Sequence, residues 1–130
     1  MRRQPSDSCV CGSGQPYADC CVRYIVGGEA APTAEVLMRS RYTAYSLSRE
    51  DYLLATWHAS TRPVQSGLAE EPPVKWIGLE VKRFEQQGAD HAIVEFTARY
   101  KVNGRAHRLH EVSRFVREDG CWFYVDGVVS

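Results

Sequence analysis

The sequence has 130 residues, 44% hydrophobic and 25% charged, with 16 basic side chains balanced by 16 acidic ones. That size supports one domain with one core plus a small appendage. The neutral balance gives no global charge argument for nucleic acid, and no run of about eighteen apolar residues exists to span a membrane.

Residues 1–8 are polar, carry Pro5, and read as a mobile arm. Met1-Arg2-Arg3 is basic, but polar residues follow where a signal peptide would need an apolar core. A reducing, cytoplasmic compartment is therefore the expectation. Four of the five cysteines fall between positions 9 and 21. Thiolates at that density need a shared task. Cys9 and Cys11 can reach one ion if the chain turns sharply, and Gly12 and Gly14 permit such a turn. Cys20 and Cys21 would return to the same ion. Four soft sulfurs match tetrahedral zinc in a closed, structural shell. Disulfides across the loop, a redox pair and an iron–sulfur cluster are the competing arrangements. Adjacent and Cys-x-Cys pairs suit disulfide geometry poorly, and the tight spacing favours one ion over a cluster.

Residues 9–24 form this knuckle, with Tyr17 and Tyr24 packing it onto the main domain. Gly27-Gly28 and Pro32 mark a linker. The spacing predicts a helix capped by Thr33 and running to about Leu47, with Leu37, Arg41, Ala44 and Tyr45 on one face. Ser48 reads as the N-cap of a second helix, Asp51 to His58. Residues 59–73 are rich in Ser, Thr, Gly and Pro and leave loop or short helix open. The period then changes to two. Ile77, Leu79 and Val81 alternate with polar residues, as do Ala92 to Tyr100. Asn103-Gly104 predicts a tight hairpin. A third strand runs from about Arg105 to Arg117, and Glu118-Asp119-Gly120 turns it into a fourth, Cys121 to Asp126. Helices followed by an antiparallel meander give α+β.

The knuckle resembles the SEC-C motif, the zinc-binding module named for the C-terminus of the SecA translocation motor. The match is Cys-x-Cys-Gly-Ser-Gly, a tyrosine, then Cys-Cys. By that resemblance Cys9, Cys11, Cys20 and Cys21 are the ligands. Leu37 to Tyr42, Ala55 to His58, Ser113 to Phe115 and Trp122 to Gly127 extend the likeness to the YchJ-like family of bacterial proteins. The resemblance implies a knuckle and linker over residues 1–28. It implies a cone-shaped nuclear transport factor 2-like (cystatin-like) domain over residues 29–130, with helices on a curved sheet. Many members carry a second SEC-C motif after the fold. None stands before Ser130, which counts against a function that needs two zinc knuckles. The family brings no established activity. The SEC-C motif of SecA contacts a secretion chaperone and lies near ribosomes, which implies a partner in translation or export.

Three functional classes follow. The first is a non-enzymatic zinc-binding adaptor with a protein partner. The second is a cone that binds or transforms a small molecule. Alternation places Glu111 inside it with His107, Leu109, Ser113 and Phe115. A carboxylate there needs a partner. Arg41 or Arg39 could pair with it, or it could meet a ligand with His58 or Ser113 nearby. Tyr42, Trp57, Trp122 and Tyr124 are candidates for the pocket mouth. His58 also reads as a helix C-terminal residue favoured by the dipole. His107 and His110 face opposite sides and cannot share a metal. The third class is RNA or ribosome binding through Arg99, Lys101, Arg105, Arg108, Arg114 and Arg117, a basic hairpin in a neutral chain. Cys121 reads as a buried small hydrophobe.

Overall fold

The computed structural model describes residues 9–12, 15, 20–63 and 74–129. The arm at 1–8, the turn residue Gly14, Tyr17 and most of the 59–73 segment lie outside them. Within the described residues, α1 (Val22–Ile25), α2 (Ala34–Ser46) and α3 (Glu50–Ala55) precede β1 (Lys75–Gln86), β2 (His91–Val102), β3 (Arg105–Glu118) and β4 (Cys121–Val129). The strands form one antiparallel sheet in the order β1-β2-β3-β4. No helix among the described residues is long and apolar enough to cross a membrane.

Thr33 caps α2 as its sequence position predicts. Its backbone is extended, and its hydroxyl accepts from the Val36 amide at 3.2 Å. Ala34, Leu37, Met38, Arg41, Tyr42 and Ala44 are buried along the helix, the spacing of a core-facing stripe. Ser48, by contrast, does not cap the next helix. It adopts φ 58. The Ser48 amide donates to Tyr45 O and the Arg49 amide to Ala44 O, the paired closure that ends a helix in a left-handed residue. Ser48 is consumed in stopping α2, and Arg49 takes the N-cap position of α3 with no side-chain cap.

The second helix is also shorter than the expected Asp51–His58. Residues 56–58 are drawn to β4 instead. Tyr124 N donates to Thr56 O at 2.8 Å, and His58 N donates to Tyr124 O at 2.7 Å. β4 ends the sheet, and these two bonds satisfy part of its open edge. His58 is therefore an edge-pairing residue, not the last residue of a helix.

Two hairpins form where glycine allows them. Asn103 and Gly104, then Asp119 and Gly120, all take positive φ, the geometry of tight two-residue turns. Ala92, Val94, Phe96 and Ala98 bury their side chains from β2, as the alternation predicts. β1 departs from prediction: its register shifts between Trp76 and Gly78. Leu79 and Val81 still pack on the core, whereas Ile77 is 46% exposed and Trp76 packs inward. A bulge there changes which residue faces the core. β4 continues beyond Asp126 to Val129. Cys121 is only partly buried, because Trp122 and Tyr124 hold the inward positions beside it.

Candidate metal centre and cone interior

Each half of the knuckle is shaped locally. The Gly12 amide donates to Cys9 O at 3.1 Å, and Gly12 takes φ 80 to close that turn. A Cβ at Gly12 would meet Leu79 O at 3.1 Å, so the turn lies tight against β1. Cys20 and Cys21 lead into α1, where Arg23 N donates to Cys20 O and Ile25 N to Cys21 O. The result is convergence: all four sulfurs lie within 4.8 Å of one another. Cys11 to Cys20 is 3.7 Å and Cys20 to Cys21 is 3.9 Å.

Those separations decide between the chemistries. None of the five cysteines is in a disulfide, so the disulfide arrangement is not the one observed. Four sulfurs at metal–sulfur bonds of about 2.3 Å have tetrahedron edges of about 3.8 Å, close to the two distances above. The donor set fits one thiophilic metal ion. The cysteines are 0–8% exposed, which leaves the shell closed to solvent.

The thiols also influence one another. Hydrogen bonds from Cys11 and Cys21 hold the Cys9 thiol far below its usual range. Hydrogen bonds with Cys11 and Cys9 push Cys21 far above that range, and burial adds to the rise. Cys9 thus holds a negative charge readily, and a second one on Cys21 is opposed. A bound cation removes that opposition.

The knuckle is docked. Its cysteines share one buried cluster with Leu37, Met38, Tyr42 and Leu53. Arg39 Nη1 donates to Cys11 O at 2.6 Å while its Nε donates to Glu35 at 3.1 Å. Thr43 Oγ1 donates to Cys21 Sγ at 3.2 Å and lies 3.7 Å from Cys9 Sγ. Tyr24 is buried at this junction, as predicted. Sequence reasoning did not single out Thr43, and it offered Arg39 to Glu111. The available signal was spacing: Glu35, Arg39 and Thr43 recur at four-residue intervals on one face of α2.

The cone interior holds Glu111, as alternation predicts. Ser113 Oγ donates to Glu111 Oε2 at 2.5 Å, and Tyr124 Oη donates to it at 3.1 Å. Gly127 makes this possible, because a Cβ there would overlap the Glu111 side chain. The expected ion pair does not form: among the described residues no cation makes an ion pair with Glu111. Arg41 Nη1 donates instead to Leu53 O at 2.8 Å and Thr56 Oγ1 at 2.7 Å. Its guanidinium lies over the Trp57 ring at 5.1 Å and the Tyr124 ring at 4.6 Å. The end of α3 offers acceptors to this buried cation before the carboxylate can.

A cavity of about 200 Å³ opens between α2 and the sheet, lined by Arg41, Tyr42, Glu111 and Tyr124 among others. The remaining candidates lie elsewhere. Ser113 is fully buried behind Glu111, and Trp57 lies behind Arg41. Trp122 lines a separate depression near α1. His58 bonds Ser60 and Glu118, away from the cavity. The residues that sequence reasoning missed are Tyr45 and Trp76, the latter hidden by the β1 bulge. His107 stacks on Tyr100 and His110 meets Glu95. In the basic hairpin, Arg114 pairs with Asp126 and Arg117 with Asp90.

Comparison with known proteins gives the same parts. Residues 33–127 match the family model for the middle NTF2-like domain of YchJ, and residues 6–22 match the SEC-C motif. A UPF0225 protein of Chromobacterium violaceum is 57% identical, the match covering 99% of this chain and 98% of the relative. One from Bordetella bronchiseptica is 50% identical over 98% of each chain. The solution structure of a SEC-C motif containing protein from Rhodopseudomonas palustris superposes with a TM-score of 0.83 at 32% identity, covering 94% of this chain and 98% of that one. A crystal structure of such a protein from Psychrobacter arcticus gives 0.79 at 29% identity, over 97% and 84%. With its sulfur cluster set against an α+β domain of NTF2-like fold, this chain belongs to the YchJ-like, UPF0225 family of SEC-C motif proteins.

Proposed function

We propose that this chain is a cytoplasmic zinc-binding adaptor whose knuckle offers a fixed surface to a protein partner. The observation that carries the reading is the buried convergence of Cys9, Cys11, Cys20 and Cys21. Zinc suits four thiolates with no vacant position, and such a shell organises structure and does not activate water. That favours binding over catalysis. The knuckle and linker are assigned to residues 1–28 and the α+β domain to residues 29–130. Val26, 64% exposed just after α1, is the apolar point of the presented surface. The resemblance to the SecA motif directs the search to translation and export machinery.

The test uses metal-loaded chain and a Val26→Asp variant as baits in native cell extract. The variant leaves all four thiols in place. Loss of a component of those machineries from the variant, with metal retained, supports the reading. Recovery of the same proteins by both baits removes it.

A second reading, RNA or ribosome contact, has its own support. Arg99 stands opposite Arg108, and Lys75 opposite Lys101, in the sheet register. Like charges placed directly opposite cost stability, and a polyanion would offset that cost. Affinity for RNA that falls steeply with salt supports this reading. Absence of binding at low salt removes it.

A further inference from the structure

The cavity beneath α2 is built around one carboxylate with unequal oxygens. Glu111 Oε2 already accepts from Ser113 and Tyr124. Oε1 takes no partner among the described residues, and Glu111 lines the cavity. Apolar and aromatic groups line the rest: Met38, Phe96, Leu109, Tyr42, Tyr45 and Trp76. Tyr42 and Tyr45 each lie 5.8 Å from Trp76, centroid to centroid. The space is about 200 Å³. A dry protein cavity of roughly 150 Å³ accommodates benzene, so this one suits a substituted ring or two small fused rings.

Charge narrows the ligand further. An anion would meet the Glu111 carboxylate across a medium of low polarity, where repulsion is strong. A cation would share the same enclosure with Arg41, which is 2% exposed and already faces Tyr124. Arg41 cannot turn away without losing its own hydrogen bonds to Leu53 O and Thr56 Oγ1, which leaves a buried guanidinium short of acceptors. A neutral body with one hydrogen-bond donor avoids both penalties. It supplies the proton that Oε1 lacks and fills the aromatic walls.

The geometry points to a ligand site in the cone for a neutral one- or two-ring compound that donates an N–H or O–H to Glu111 Oε1. Ser113 and Tyr124 act as positioning residues, holding Oε2 and leaving Oε1 for the ligand. Gly127 leaves the room in which that carboxylate lies. None of the four knuckle cysteines lines this cavity, and the site needs no partner of the knuckle.

The probes are indole and benzofuran, which match in shape but differ in the N–H. Each is titrated into isotope-labelled, metal-loaded full chain and followed by NMR shifts of the Trp76 indole and the Leu109 methyls. Indole is expected to bind at least about tenfold more tightly than benzofuran, the size of one charge-assisted hydrogen bond. In Glu111→Gln the two hydroxyls keep the amide oxygen and turn its NH2 toward the cavity. That variant is expected to lower indole to the benzofuran level or below. Equal binding of the two probes to the native chain makes the cavity a nonspecific apolar space and overturns the proposal. So does the absence of shifts at Trp76 and Leu109 with either probe. The native comparison stands by itself if the variant fails to fold.

Discussion

The hydroxyl of Thr43 lies 3.2 Å from the sulfur of Cys21. This contact joins the knuckle to the middle of α2, a helix that also roofs the cone. The same hydroxyl can reach Arg39 O at 3.2 Å, but it has one proton. A metal-bound thiolate is the stronger acceptor, so loading the site draws that proton to sulfur.

Thr43→Val keeps the shape of the side chain and removes its hydroxyl. Partners of this kind contribute about 10–100-fold in metal affinity at other centres. The substitution is expected to weaken zinc binding by about tenfold, at the lower end because sulfur is a soft acceptor. Chelator competition measures it. Unchanged affinity would show that the contact only packs.

Arg39→Ala removes the donor to Cys11 O and the partner of Glu35. Part of the Arg39 side chain is exposed, so solvent replaces some of the loss. A cost of about 1–2 kcal/mol is expected for this charge-assisted bond. It should appear as faster amide exchange in residues 20–25 than in β2, because the knuckle loosens before the sheet. Uniform acceleration across the domain would contradict that order.

Stripping the metal is expected to lower the melting temperature of the whole chain. The four cysteines belong to the same buried cluster as Leu37 and Leu53, so repulsion between unneutralised thiolates, or space around thiols, is felt in the core. Differential scanning calorimetry before and after chelation measures this. A main transition that does not move would mean that the knuckle melts separately.

Alkali should unfold the domain through its tyrosines. Burial raises Tyr42, Tyr45, Tyr52 and Tyr124 above the ordinary range, and the Glu111 carboxylate raises Tyr124 further. The folded state holds these protons more tightly than the unfolded chain does. Their contribution is whole below about pH 10, the unfolded tyrosine value, and is lost as pH rises through the folded values. The tyrosinate absorbance of these four should therefore appear together with loss of circular dichroism. Titration of all tyrosines near their ordinary value, with structure retained, would contradict the burial assigned to them.

Gly127→Ala tests the seat of Glu111. The added methyl overlaps the carboxylate, and such overpacking costs about 1–3 kcal/mol. Both the Ser113 and the Tyr124 hydrogen bonds should break. Denaturant unfolding gives the cost, and the Tyr124 titration should move down as its anionic neighbour leaves. An unaltered Tyr124 would place Glu111 elsewhere.

Much of this architecture was legible where residues act locally. Thr33, Asn103-Gly104 and the alternation in β2 are short-range signals, and each gives the element that it predicts. The cysteine spacing identified the cluster for the same reason. What stayed hidden depends on contacts distant in sequence. Nothing near Trp57 announces that β4 will recruit its backbone, so the second helix was read too long. A single register shift at Trp76 exchanged it with Ile77. Charge and a shared inward face pair Arg41 with Glu111 on sequence, yet the Leu53 carbonyl at the end of α3 takes the guanidinium first.

We propose that one zinc ion, held by the four sulfurs, fixes the knuckle to α2. X-ray absorption at the zinc edge, on full chain purified without a histidine tag, tests it most directly. One zinc per chain, surrounded by four sulfurs at about 2.3 Å, is expected. A shell containing nitrogen or oxygen, or protein that carries no zinc while its fold remains intact, would contradict it.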